Sequence, residues 1–65
     1  MNKSFEINKN IYLIEVLLQG IEDFSELWKI SYDNEILLIE WENEKEIDNI
    51  FNEFINYITW LINEL

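Results

Sequence analysis

From Glu46 to Leu65, apolar side chains recur at Ile47, Ile50, Phe51, Phe54, Ile55, Ile58, Leu61, Ile62 and Leu65, the i, i+3, i+4, i+7 spacing of an amphipathic helix. At 1.5 Å per residue such a helix is about 30 Å long. In a chain of 65 residues whatever else folds must cover the apolar stripe of that rod. Asn43 stands where an N-cap belongs, and Glu44, Glu46 and Asp48 put carboxylates in the first turn, where the helix dipole favours them.

The natural cover is a hairpin. Residues 25–32 and 35–42 both alternate between apolar and polar, and the Asp33-Asn34 pair between them suits a two-residue turn with positive φ. A turn there pairs Tyr32 with Glu35, Ile30 with Leu37, Trp28 with Ile39 and Glu26 with Trp41. That gathers Trp28, Ile30, Leu37, Ile39 and Trp41 on one face, and on the other sets Lys29 opposite Leu38 and diagonal to Glu40. Residues 11–18 read two ways. The even positions Tyr12, Ile14, Val16 and Leu18 form an apolar face, which favours a third strand; a helix ending at Gly20 is the rival. The expected fold is therefore α+β: a small antiparallel β-meander, hairpin 25–32/35–42 with a third strand at 11–18, packed on one long C-terminal amphipathic helix, 46–65. Phe5 to Ile7 would add a short edge strand, and the rival layout is helix-hairpin-helix (αββα). The chain has no Pro, one Gly and no linker or repeat, so a single domain is expected over residues 1–65.

Composition bounds the chemistry. Fourteen carboxylates face four lysines, with no His, for a formal net charge of -10 and a pI near 4.1. That surface repels nucleic acid and anionic lipid and attracts basic protein. A hydrophobic fraction of 49% with four Phe, three Tyr and three Trp separates it from acidic disordered tails. There is no Cys, so disulfides and thiolate metal sites are out and a reducing cytoplasm is allowed. No stretch approaches the roughly 20 apolar residues of a membrane span, and the amino terminus does not read as a signal peptide. With Ser4, Ser25, Ser31 and Thr59 as the only hydroxyls beyond Tyr, no nucleophile and base pair assembles from the usual parts. No calcium loop is present. The chain is expected to be non-enzymatic, with no cofactor and no metal.

Four surfaces stand out as candidates. In the run Glu40, Glu42, Glu44, Glu46, alternate strand residues point the same way about 6.8 Å apart. Such a ladder resembles a phosphate backbone and would pair with the Lys and Arg of a nucleic-acid-binding site; its plain alternative is a solvated strand edge and helix start. A second acidic group, Glu22, Asp23 and Glu26, is expected near the same end of the hairpin. Trp60 lies about 200° from the centre of the helix's apolar arc, with Tyr57 between it and the core, so the two rings suit a binding hot spot unless Phe5 and Ile7 fold back over them. The stripe Asn49, Asn52, Asn56, Thr59 and Asn63 is expected to be the wet side of the helix. Finally Leu13, Leu17, Leu27, Ile36 and Leu38 would share the outer sheet face, too many aliphatics to leave in water on a small monomer, and so a face for a homodimer or another partner.

In size, acidity and these carboxylates, the whole chain resembles the compact inhibitors that phages make against host defence nucleases, including anti-CRISPR proteins and other DNA mimics. The resemblance carries no motif and transfers no residue role. It implies an inhibitor in the cytoplasm of a bacterial host that occupies the basic groove of a nucleic-acid-binding enzyme, without binding nucleic acid itself. Two other classes fit the same residues: an antitoxin or immunity-type protein that neutralises a basic toxin through Trp60 and Tyr57, and a homo-oligomeric adaptor module using its sheet face.

Overall fold

A computed structural model describes residues 1–8 and 12–64. Its elements run β1 (Asn2–Glu6), α1 (Ile14–Asp23), β2 (Lys29–Asp33), β3 (Ile36–Glu40) and α2 (Glu44–Glu64). The sheet is antiparallel in the order β1-β3-β2, and both helices pack on one face of it. The fold is α+β, a three-stranded antiparallel sheet under two helices, of which the C-terminal one is long.

The third strand comes from the amino terminus and not from residues 11–18. In β1, Phe5 faces the helices and stacks on Phe51 of α2 with ring centroids 3.9 Å apart and planes 5° apart. Ile7, just beyond the strand, is buried in the core. Lys3, on the same face, reaches Asp48 at 2.7 Å. The place beside β3 is thus taken, and Ile14–Asp23 winds into a helix; Ile11, part of the expected strand, lies outside the described residues. The aliphatics of that segment fall on both parities, which suits a helix better than a strand buried on one face. Val16, Leu17 and Gly20 turn inward, and Leu17, Gly20, Ile21 and Phe24 repeat at i, i+3, i+4, i+7. Gly20 marks the closest approach of the helices. A Cβ built there would lie 2.4 Å from Ile58 Cδ1 and 3.2 Å from Phe54 Cε1, so the seam is closed by the missing side chain.

The hairpin turns one residue later than the sequence suggests. Asn34 and Glu35, with φ of 49° and 66°, are its central residues, the double positive φ of a hairpin-type turn. Tyr32 therefore pairs with Leu37, Ile30 with Ile39 and Lys29 with Glu40. Moving the turn by one residue moves each pairing by two, so every side chain keeps its face. The realised register also matches ring to aliphatic and lysine to carboxylate across the strands. Both strands are shorter than 25–32 and 35–42. On one side Leu27 N and Trp28 N donate to Phe24 O at 3.0 and 2.9 Å, which coils the chain before β2. On the other, Asn43 Oδ1 accepts from Lys45 N at 2.9 Å, capping α2 as expected, two residues ahead of Glu46.

The core is Ile7, Val16, Leu17, Ile30, Leu37, Ile39, Ile47, Ile50, Phe54 and Ile58. The outer sheet face holds two aliphatics and not five. Leu17 is fully buried in α1, Leu13 is an exposed residue at its N-cap, and Leu27 is an exposed turn residue. Ile36 and Leu38 remain on that face, and Leu38 is flanked in register by Ser4 and Ser31. A face this polar gives no reason for sheet-to-sheet pairing.

Candidate interaction surfaces

β1 and β2 begin, β3 ends and α2 begins at one end of the sheet, and Trp41 stands at their junction. Its backbone N–H donates to Met1 O at 2.9 Å, and its indole Nε1 donates to Glu46 Oε2 at 2.7 Å. Trp28, at the end of the turn that follows α1, is stacked on Phe24 at 4.7 Å. Both indoles are half-buried. Three shallow grooves meet at Trp41: one bordered by Met1, Asn2, Lys29, Glu40 and Glu42, one by Ser25, Glu26, Leu27, Trp28 and Ile30, and one against α2 by Trp28, Glu46, Asn49, Ile50 and Glu53.

The acidic run is divided among these grooves and does not form a straight ladder, because the strand ends at Glu40. Glu40 lies on the outer face, 3.7 Å from Lys29 Nζ. Glu42 sits in the connection to α2, while Glu44 and Glu46 share the first helical turn. Glu42 and Glu44 are exposed and make no hydrogen bond or ion pair with the described residues. Lys3, Lys29 and Lys45 belong to the same end. The pairs Lys3–Asp48 and Lys29–Glu40 are solvent-exposed, a class worth about 0–1 kcal/mol each. They leave Glu26, Glu42, Glu46 and Glu53 in the grooves around the indoles, with Glu44 exposed at the start of α2.

The second acidic group is split by the helical form of α1. Glu26 joins the Trp41 end, as expected. Asp23 does not. It accepts from Tyr57 Oη at 2.6 Å and from Gln19 Nε2 at 2.9 Å, and Tyr57 is 11 positions after Glu46, roughly 16 Å further along α2. Glu22, next to Asp23 at the end of α1, is exposed. Both partners' titration follows from this contact. The hydrogen bond from Tyr57, seconded by Gln19, holds the Asp23 carboxyl below its ordinary value, and the bond to Asp23 holds the Tyr57 hydroxyl above its own.

Trp60 is 55% exposed and stacked on Tyr57 at 6.0 Å. Phe24 meets Tyr57 edge-on at 4.9 Å. The amino-terminal segment that was the alternative cover for Trp60 is used elsewhere, Phe5 on Phe51 and Ile7 in the core. The polar stripe of α2 is exposed as expected at Asn49, Asn52, Asn56, Thr59 and Asn63, and Asn49 also borders the Trp41 groove. Reasoning from sequence missed Trp28 and Trp41 as surface residues, and it set Glu53 on the exposed face around Trp60 and not beside the other two indoles. The tryptophans alternate with the core positions of the strands and so read as core, although both stand just beyond the paired residues. Glu46, Asn49, Ile50 and Glu53 recur at i, i+3, i+4, i+7 beside the apolar stripe, a signal of a bordering face.

Among the described residues no cluster of His, Cys, Asp or Glu has the geometry to hold a metal ion, and no helix is long and apolar enough to cross a membrane. Comparison with protein-family models, with curated proteins and with solved structures gives no match to this chain.

Proposed function

We propose that this protein is a non-catalytic acidic binding protein that covers the basic nucleic-acid-binding surface of a partner enzyme in a bacterial cytoplasm, as the phage inhibitors it resembles do. The observation that carries this reading is the Trp41 end. Glu42, a carboxylate without a partner among the described residues, borders a groove beside the half-buried Trp41, and Glu44, equally unpartnered, is exposed in the first turn of α2 just beyond it. Glu26, Glu46 and Glu53 border the grooves around the indoles. Exposed acids beside aromatic surface combine long-range attraction to Lys and Arg with apolar area to bury on contact. The exchange of phosphate for carboxylate is local and not a regular ladder, since Glu40 is shared with Lys29 and Asp23 with Tyr57. The net charge of -10 supplies the long-range part, and the grooves supply the contact.

The test is capture from a bacterial lysate by the wild-type protein and by the triple variant Glu42→Lys, Glu44→Lys, Glu46→Lys. The reading predicts a basic nucleic-acid-binding protein that is released as salt rises, is displaced by duplex DNA, and is not retained by the triple variant. Capture that survives the charge reversal would sink it.

A second reading rests on Trp60. A half-exposed indole on a tyrosine fixed by Asp23 is an aromatic anchor of the kind that an antitoxin or immunity-type protein presents to a basic toxin. In that case Trp60→Ala abolishes capture and the triple reversal does not.

A further inference from the structure

The groove between the two indoles and α2 is bordered by two carboxylates, Glu46 and Glu53. Trp28, Trp41, Glu46, Asn49, Ile50 and Glu53 line about 260 Å³ of space, room for one long side chain and not for a folded ligand. Neither indole is loosely placed. Trp28 is stacked on Phe24, and Trp41 is tied at its backbone to Met1 O and at its indole to Glu46. Glu53 stands one helical turn from Asn49 and makes no hydrogen bond or ion pair with the described residues. Among the described residues no lysine lines this groove, in contrast to the two grooves on the other sides of Trp41, where Lys29 is present.

We infer that this groove binds an arginine side chain of the basic partner, its guanidinium between the indole faces and the carboxylates of Glu46 and Glu53. The inference rests on the reading that the partner is basic, and it names the contact. An indole face attracts a cation through its quadrupole and favours the planar, weakly hydrated guanidinium over an ammonium. Ile50 offers an apolar floor to the aliphatic stem, which retains its apolar contact while the head stays hydrated. Glu46 gives one oxygen to Trp41 and keeps the other, so fixing the ring does not use up the charge.

The experiment needs no partner protein. The ¹⁵N-labelled chain is titrated at low salt with N-acetyl-arginine methylamide and, in parallel, with its neutral isostere N-acetyl-citrulline methylamide, while indole and backbone N–H resonances are followed. The arginine probe should shift the Trp28 and Trp41 indoles and the Asn49 and Ile50 amides along one saturating curve, leave the Trp60 indole in place, and bind about three- to fivefold more tightly than citrulline. Glu53→Gln, an exposed change that touches no core residue, should remove most of that preference while leaving citrulline binding as it was. Trp41→Leu should remove both. Equal binding of the two probes, or a Trp60 indole that moves on the same curve, or a Glu53→Gln protein that still prefers arginine, would overturn the inference. The two readings fail separately. A groove indifferent to arginine in a protein whose partner capture depends on Glu42 and Glu44 loses this inference alone; a groove that selects arginine in a protein whose capture survives charge reversal loses the proposed function alone.

Discussion

Trp41 and Tyr57 each give a polar hydrogen to a carboxylate, Trp41 Nε1 to Glu46 at 2.7 Å and Tyr57 Oη to Asp23 at 2.6 Å, yet the two carboxylates are left in different conditions. Both oxygens of Asp23 are engaged, the second by Gln19 at 2.9 Å, and Trp60 beyond them is stacked on Tyr57. Glu46 keeps an oxygen free, and Glu53 stands near it in the same groove. The same fastening therefore leaves a carboxylate with both oxygens hydrogen-bonded at one place and a carboxylate with one oxygen to spare at the other. What differs is how much of the carboxylate the protein's own donors use. A saturated carboxylate braces the fold, whereas a spare one remains available to a cation.

Changes in the base that both spots share should have the largest effect. Phe54 is fully buried and meets Phe24 at 6.4 Å, and Phe24 in turn supports both Trp28 and Tyr57. Phe54→Ala should cost about 3–5 kcal/mol, comparable with the whole stability of a small domain. Denaturant melts should show both aromatic signals lost together, and survival of one without the other would mean that the spots do not share a base. Next comes Gly20→Ala, which places a methyl in the closed seam against Ile58 and Phe54. Overpacking of this kind costs about 1–3 kcal/mol, partly offset by the better helix propensity of Ala, by up to about 1 kcal/mol. The indole resonance of Trp60 should move more than that of Trp41; the reverse order would break the separation between the two regions.

A subtler change is Asp23→Asn, which keeps the shape and removes the charge. In a spectrophotometric titration the Tyr57 hydroxyl should ionise above the ordinary tyrosine range in the wild type, and in the variant it should return toward that range. The signs also fix a pH window for this tether. Tyr57, with its folded value raised, contributes stability below the ordinary tyrosine range that is lost as pH rises through the folded value. Asp23, with its folded value lowered, contributes stability above the ordinary carboxylate range that is lost as pH falls through the folded value. A tyrosine titration unchanged by Asp23→Asn would mean that the contact does not hold in solution. The smallest effect is that of salt on the isolated domain. Shortening the Debye length from about 10 Å at 0.1 M to about 3 Å at 1 M should raise the melting temperature by a few degrees, because self-repulsion at net charge -10 outweighs exposed ion pairs such as Lys3–Asp48 and Lys29–Glu40. A melt that ignores salt would mean that the carboxylates are already well separated.

The parts of this fold that could be read from sequence are those where one local signal was enough. The period of α2 and the Asn43 cap needed no knowledge of neighbours, and the hairpin's faces survived a misplaced turn because parity is preserved when pairing moves by two. The conformation of residues 14–23 depended on a distant competitor. Aliphatic residues on both parities admitted strand or helix, and occupation of the place beside β3 by Asn2–Glu6 decided between them. That one choice propagated to the surface. It buried Leu17, moved Leu13 off the sheet and carried Asp23 to Tyr57, which emptied the expected apolar face and divided the second acidic group. The angle of Trp60 on the helix was readable because it depends on α2 alone, whereas its exposure hung on the amino-terminal segment, which packs on Phe51 and in the core instead. The Trp28–Trp41 groove was not, since it is assembled from a turn, a strand end and a helix face that meet only in the folded chain.

The central claim is that the acidic Trp41 end, and not the Trp60 patch, makes the contact with a basic partner. It is tested most directly by the dissociation constant of the captured partner across a salt series for three proteins: the wild type, the Glu42→Lys, Glu44→Lys, Glu46→Lys variant, and Trp60→Ala. Affinity should fall steeply with salt for the wild type and for Trp60→Ala alike, and the triple variant should show no measurable binding at any salt. A triple variant that binds as the wild type does, or a Trp60→Ala protein that does not bind, would contradict it.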